Sequence, residues 1–112
     1  MPETENPMPQ VAATDLPQGL ESYRCTDVFS EMTVPAGLLK AHATKLGTWG
    51  LIRVTEGELL YRIEDERRIA AEHRLRADLP PGVVEPTILH SVEPIGPMRF
   101  YVEFFRAAAT NS

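Results

Sequence analysis

The sequence is sparing with cysteine. Cys25 stands alone, so no intrachain disulfide can form. A reducing compartment such as a bacterial-type cytoplasm is the expected setting. Nor is there any apolar run near the ~20 residues that a membrane span needs. The first ten residues, MPETENPMPQ, carry acids and prolines in place of the basic and apolar pattern of a signal peptide. Basic residues are outnumbered, 11 Lys and Arg against 16 Asp and Glu, for a formal net charge of −5. This balance argues against a nucleic-acid partner, whose footprint is a basic face, and against an anionic membrane surface. A glycine-rich strand–helix fingerprint for nucleotides is missing, and so is any internal repeat. The expectation is a soluble, cytoplasmic chain that engages neither nucleic acid nor membrane.

What is present suits one small domain. The 112 residues are 43% hydrophobic, enough for one modest core. Residues 1–15 contain Pro2, Pro7 and Pro9 and little large apolar surface, which predicts a flexible N-terminal tail. The domain is expected over 16–106, with a short C-terminal tail over 107–112. Within it, prolines and glycines interrupt the chain too often for long helices. The intervening runs alternate like strands. Leu59, Tyr61 and Ile63 share one face of Glu58–Glu64, and Thr55–Glu58 reads as the turn joining that run to Gly50–Val54. Met98–Arg106, rich in aromatic and β-branched residues, is the strongest strand signal. The charged stretch Glu64–Ala77 is expected to form an edge hairpin. Short strands at this spacing predict an all-β sandwich or barrel.

Three histidines differ in their surroundings. His73 lies between Glu72 and Arg74 and reads as a solvated surface residue. His42 ends an alternating run, and His90 follows a Pro/Gly turn and begins a strand. Each has a plain reading as a hydrogen-bonded histidine at a barrel rim. A sharper one comes from treating Gly96–Pro97 as the centre of a symmetric hairpin. His90 then lies opposite Glu103, Val92 opposite Tyr101 and Ile88 opposite Phe105, with facing Cβ atoms ~5 Å apart. A buried carboxylate there needs a partner, which histidine or a metal ion supplies. If the face bearing Leu89, Phe100, Val102 and Phe104 is the core, the pair is a surface one instead.

Six segments together resemble a known family. They are Leu16–Tyr23, Thr33–Leu39, His42–Gly50 (HATKLGTWG), Glu56–Tyr61 (EGELLY), Glu85–Val92 (EPTILHSV) and Arg99–Phe105 (RFYVEFF). In this order they resemble the TehB/YeaR-like small cupins, which include the N-terminal domain of some tellurite-resistance methyltransferases. The resemblance covers about 16–106. It implies a cupin-like double-stranded β-helix, that is, a jelly-roll barrel in a single domain. It also implies a bound divalent metal and a loose link to tellurite or oxidative stress. Methyl transfer is not carried over, because a nucleotide-binding α/β domain is not seen.

Cupins usually present His-x-His with a following Glu, then a second-motif His. Here His42 fills the first place and Thr44 the second, and the Glu position falls near Thr48 or Trp49. The second-motif histidine maps to His90. Glu103 is the candidate replacement ligand, which makes the expected metal set His42, His90 and Glu103 for zinc, iron or nickel. Thr44 and Tyr101 are expected beside the pocket. The leading expectation is a metal-binding cupin that holds a small molecule or oxyanion in its barrel. The alternatives are a metal-dependent dioxygenase or isomerase and a metal-free structural or dimerisation module. A homodimer through the apolar sheet face is expected.

Overall fold

The structure is a computed structural model that describes residues 8–109. It is all-β, one domain built on an antiparallel sheet, with a 3-10 turn at Ala36–Leu39 as its only helical element among the described residues. Strands β1 (Leu20–Cys25), β2 (Phe29–Ser30), β3 (Trp49–Ile63), β4 (Ala71–Arg76), β5 (Gly82–Val84) and β6 (His90–Ala107) follow in chain order. The sheet runs β1-β6-β3-β4, with β2 also on β6 and β5 also on β3. Among the described residues no helix is long and apolar enough to cross a membrane.

β3 and β6 dominate this arrangement. They pair antiparallel from Trp49↔Phe105 to Ile63↔His90. Along β6 the inward residues stay on even positions, with His90, Val92, Met98 and Phe100 all buried. Along β3 the inward set changes parity, from Ile52 and Val54 to Leu59, Tyr61 and Ile63. Side chains alternate with period two, so such a change requires an odd residue left over. The register shifts on both sides of Glu56 supply it. Gly57 makes the bulge possible. Its φ is +72°, and a Cβ there would lie 2.3 Å from the Pro97 carbonyl oxygen.

Two expected turns are therefore corrected. Thr55–Glu58 is a bulge inside β3, and Gly96–Pro97 lies inside β6. Gly96, at φ +71°, bends β6 without ending it, because β3 continues opposite on both sides (Glu58↔Ile95, Glu56↔Arg99). The charged stretch does form an edge. β4 pairs with the second half of β3, and Arg62–Glu72 and Arg74–Glu58 meet at 2.8 Å across the strands.

Ile52, Leu59, Val84 and Phe100 are the largest fully buried side chains. Phe29 meets Phe100 edge-to-face at 5.6 Å. The Tyr61 hydroxyl donates to the Val83 carbonyl at 2.7 Å, which lets a phenol sit in the core. Part of the segment expected to be a flexible tail is docked. The Gln10 carbonyl accepts from Ile69 N at 2.9 Å, Ala13 N donates to Glu85 at 2.7 Å, and Ala12 packs on the core. Residues 1–7 and 110–112 lie outside the described residues.

Candidate functional site

A pocket of about 340 Å³ opens between β1, the inward face of β3 and β6, and the loop 38–48. Burial grades it from floor to rim. Ile52, Val84, His90, Val92 and Phe100 are buried and form the floor. Val102, Phe104 and Leu38 make half-buried walls, and Tyr23, Arg24 and Lys45 stand exposed at the rim.

Two cations stand at the rim without a counter-ion among the described residues. Among the described residues Arg24 and Lys45 make no ion pair, while Arg53, Arg62, Arg67, Arg68, Arg74, Arg76 and Arg99 all do, away from the pocket. Among the described residues no carboxylate lines the pocket. In a chain of net charge −5 this is a local reversal of sign.

Where wall meets floor, half-buried His42 and buried His90 come together. They form an antiparallel backbone bridge with ring centroids 4.1 Å apart. His90 Nδ1 lies 3.0 Å from the Ile88 carbonyl and His42 Nδ1 2.9 Å from the Lys40 carbonyl. A carbonyl only accepts, so each Nδ1 carries hydrogen, and in a neutral ring the acceptor lone pair is then on Nε2. Burial pushes the His90 imidazole down to about 4, and it is uncharged near neutral pH. Tyr61 meets the His90 ring edge-on at 5.7 Å.

The loop before His90 is held from below. The Asp65 carboxylate accepts from Arg67 N, Nε and a terminal guanidinium nitrogen, and from Leu89 N at 3.0 Å. The same Arg67 donates to the Thr87 carbonyl at 2.6 Å, and Thr87 adopts φ +65°. Arg67 beside it, then the Leu89 amide, hold the Asp65 carboxyl well below the usual carboxylate range.

The remaining expected site residues are placed differently. Glu103 lies on the outer face of β6, opposite Leu51, and accepts from Arg53 Nε at 2.8 Å. His90 and Glu103 occupy one strand at positions of opposite parity, so they face opposite sides of the sheet. Tyr101, opposite Arg53, is on that outer face too and does not line the pocket. Thr44 lines the pocket, but its hydroxyl is engaged with the Thr48 carbonyl at 2.7 Å. Among the described residues no three His, Cys, Asp or Glu side chains gather where they could hold a metal ion. The expected set of His42, His90 and Glu103 for zinc, iron or nickel is corrected accordingly. Arg24 and Lys45 escaped the sequence reading, since an edge strand and a loop give no periodic signal.

Known proteins agree with the fold and redirect the function. The TehB-like domain family matches residues 24–102. In two strains of Haemophilus influenzae, a "Probable S-adenosyl-L-methionine-dependent methyltransferase TehB" is 32% and 31% identical over 72 residues, 63% of this chain and 25% of the relative. The chain thus spans about a quarter of the length of these relatives. The crystal structure of TehB from Haemophilus influenzae superposes with TM-score 0.73 at 27% identity, over 80% of this chain and 32% of that one. A crystal structure of an Escherichia coli K12 protein gives TM-score 0.75 at 24% identity, over 87% of this chain and all of the other, and shows the fold alone. The expected metal-binding cupin function, with its metal-dependent enzyme alternative, is overturned by these methyltransferase relatives and by the lack of a third ligand among the described residues. The divalent metal goes with it as a cofactor. With its motifs in order and most of its length matched, the chain belongs to the TehB-like domain family.

Proposed function

We propose that this domain is a metal-free binding module that serves S-adenosylmethionine-dependent methyl transfer by holding a small organic anion in its pocket. The observation that carries the reading is the pocket itself, with apolar walls and, among the described residues, two unpaired cations at the rim and no carboxylate. Its volume is at the small end of the ~300–1,000 Å³ usual for ligand sites, which favours a compact ligand. Apolar walls supply most of the binding energy, and cations at an open rim attract and orient an anionic end.

S-adenosylmethionine does not fit this pocket. It carries a sulfonium and an ammonium as well as a carboxylate, and its ribose diol needs acceptors. Arg24 and Lys45 oppose its positive groups, and no acidic side chain is there to receive them. The methyl donor therefore belongs with the methyltransferase portion of the relatives, and no step through it is assigned here. As to architecture, we read the bent β3–β6 pair, folded over the pocket, as the two halves of a small cupin-like jelly roll.

Calorimetric titration of the chelator-treated protein with small organic anions, cations and neutral analogues tests the function. Anions are expected to bind, and Arg24→Gln with Lys45→Gln is expected to weaken them. Preference for cations, or no binding by any anion, would overturn the reading.

A further inference from the structure

The rim accounts for a negative charge on the ligand but leaves the floor unexplained. There, two imidazoles present hydrogen-bond acceptors to an otherwise apolar surface. Both Nδ1 atoms are committed to backbone carbonyls, and among the described residues neither Nε2 has a partner. His90 is only 4% exposed and shares the pocket floor with Val92, Val84 and Ile52. Among the described residues no buried side-chain nitrogen or oxygen lacks a partner, so each Nε2 is open to solvent through the pocket, and a ligand that covers it must bring a donor of its own. A negatively charged group pushed to the floor would meet the lone pair of the neutral His90 ring.

Resting on the anion-binding reading above, we infer that the pocket takes a small organic acid of polar–apolar–polar build. Its carboxylate lies at Arg24 and Lys45, a compact hydrocarbon or aromatic body fills the middle, and a neutral donor such as a hydroxyl, thiol or N–H group reaches the Nε2 atoms of His42 and His90. The separation of charge at the rim from acceptors at the floor excludes two simpler ligand classes. An inorganic oxyanion has no body for the walls of Phe104, Val102 and Leu38. A plain fatty or aryl acid buries the imidazole acceptors without a partner. Burial keeps His90 neutral at the pH of the test, so its Nε2 remains an acceptor there.

The probes are para-hydroxyphenylacetate and para-methylphenylacetate, which differ by a hydroxyl against a methyl of similar size. Binding of each is measured by calorimetry on the full chain in chelator-treated buffer near neutral pH. The hydroxy acid is expected to bind at least about tenfold more tightly, the cost of burying an unsatisfied acceptor. His90→Leu is expected to erase the preference. Arg24→Gln is expected to weaken both acids alike and leave their ratio intact. Should His90→Leu fail to fold, His42→Leu, at a half-buried position, gives the same readout. Equal binding of the two acids, or tighter binding of the methyl one, overturns the inference and leaves the anion reading standing. A preference that survives in the histidine variant also overturns it. If neither these acids nor any other anion binds, both readings fall together.

Discussion

His42 and His90 exchange both backbone hydrogen bonds, amide to carbonyl in each direction at 2.9 Å. This bridge fastens a loop residue to the first residue of β6. The position of the His42 ring thus follows that of β6, whose entry is in turn set by the Asp65–Arg67 clamp under Thr87 and Leu89.

Removing the clamp should loosen that entry. Asp65→Asn loses charge-assisted bonds to Arg67 and weakens the acceptor for Leu89 N. A loss of about 2 kcal/mol is expected, in line with hydrogen bonds to charged groups. The wild-type carboxyl is held below its ordinary value, so its contribution is present above about pH 4 and lost as the pH falls further. Urea unfolding of the wild type and Asp65→Asn between pH 7 and 3 should show the two curves converging toward the acid end.

His90 gives a second, distinct pH dependence. Its folded value is near 4 against 6.5 for the free side chain, chiefly through burial, with neighbouring His42 acting in the same direction and Ile88 O and Glu64 against it. The unfolded chain binds the extra proton between these values, so stability falls as the pH drops from 6.5 to 4. The full loss is on the order of 3 kcal/mol. In His90→Leu the stability slope across this window should flatten, which equilibrium unfolding at pH 7, 5 and 4 would reveal.

Two glycines with nearly the same φ should respond differently to alanine. Gly57→Ala meets the Pro97 carbonyl oxygen at 2.3 Å and Met98 Cα at 2.8 Å, whereas at Gly96 nothing lies within 4 Å of the added carbon. Gly96→Ala is expected to cost only the conformational strain, about 1–2 kcal/mol. Gly57→Ala should cost clearly more, because backbone must move. Parallel thermal melts of the two variants check the ordering.

Tyr61→Phe should lower stability by about 1–2 kcal/mol, since the Val83 carbonyl loses its buried donor. For a domain of this size each kcal/mol corresponds to about 4–8 °C in melting temperature. Burial pushes the Tyr61 phenol far above its ordinary value. Ultraviolet titration of the folded protein should therefore leave one tyrosine un-ionised well above the ordinary range of a phenol.

Chelation should change nothing. With Glu103 on the far face, His42 and His90 lack a third ligand among the described residues, and EDTA is expected to leave the melting temperature within error of the untreated protein.

The strands were legible where one face is buried and the other wet. Leu59, Tyr61 and Ile63 announce the second half of β3, and Phe100 and Val102 the second half of β6. What escaped is continuity. Gly96–Pro97 has turn chemistry, and local sequence cannot reveal that β3 runs opposite and holds β6 together across the bend. That single misreading produced the His90–Glu103 pair, because folding β6 back on itself would have put both residues on one face. The pairing of His42 with His90 came into view only through the family resemblance, and the rim cations only through three-dimensional proximity.

The dependence of the named strands on β3 and β6 also bears on how the chain folds. β1 and β2 find their partner in β6, and β4 and β5 find theirs in β3. Until those two long strands meet, β1 and β2 have only one unpaired template and β4 and β5 only another. Their meeting requires closing the segment of residues 64–89, an entropic toll that the local β3–β4 hairpin offsets only in part. Folding is accordingly set by one non-local event in the millisecond-to-second range typical of β-rich topologies, with the flanking strands adding afterwards. Substitutions in the β3–β6 contact should slow refolding, and those in β1 or β4 should mainly speed unfolding.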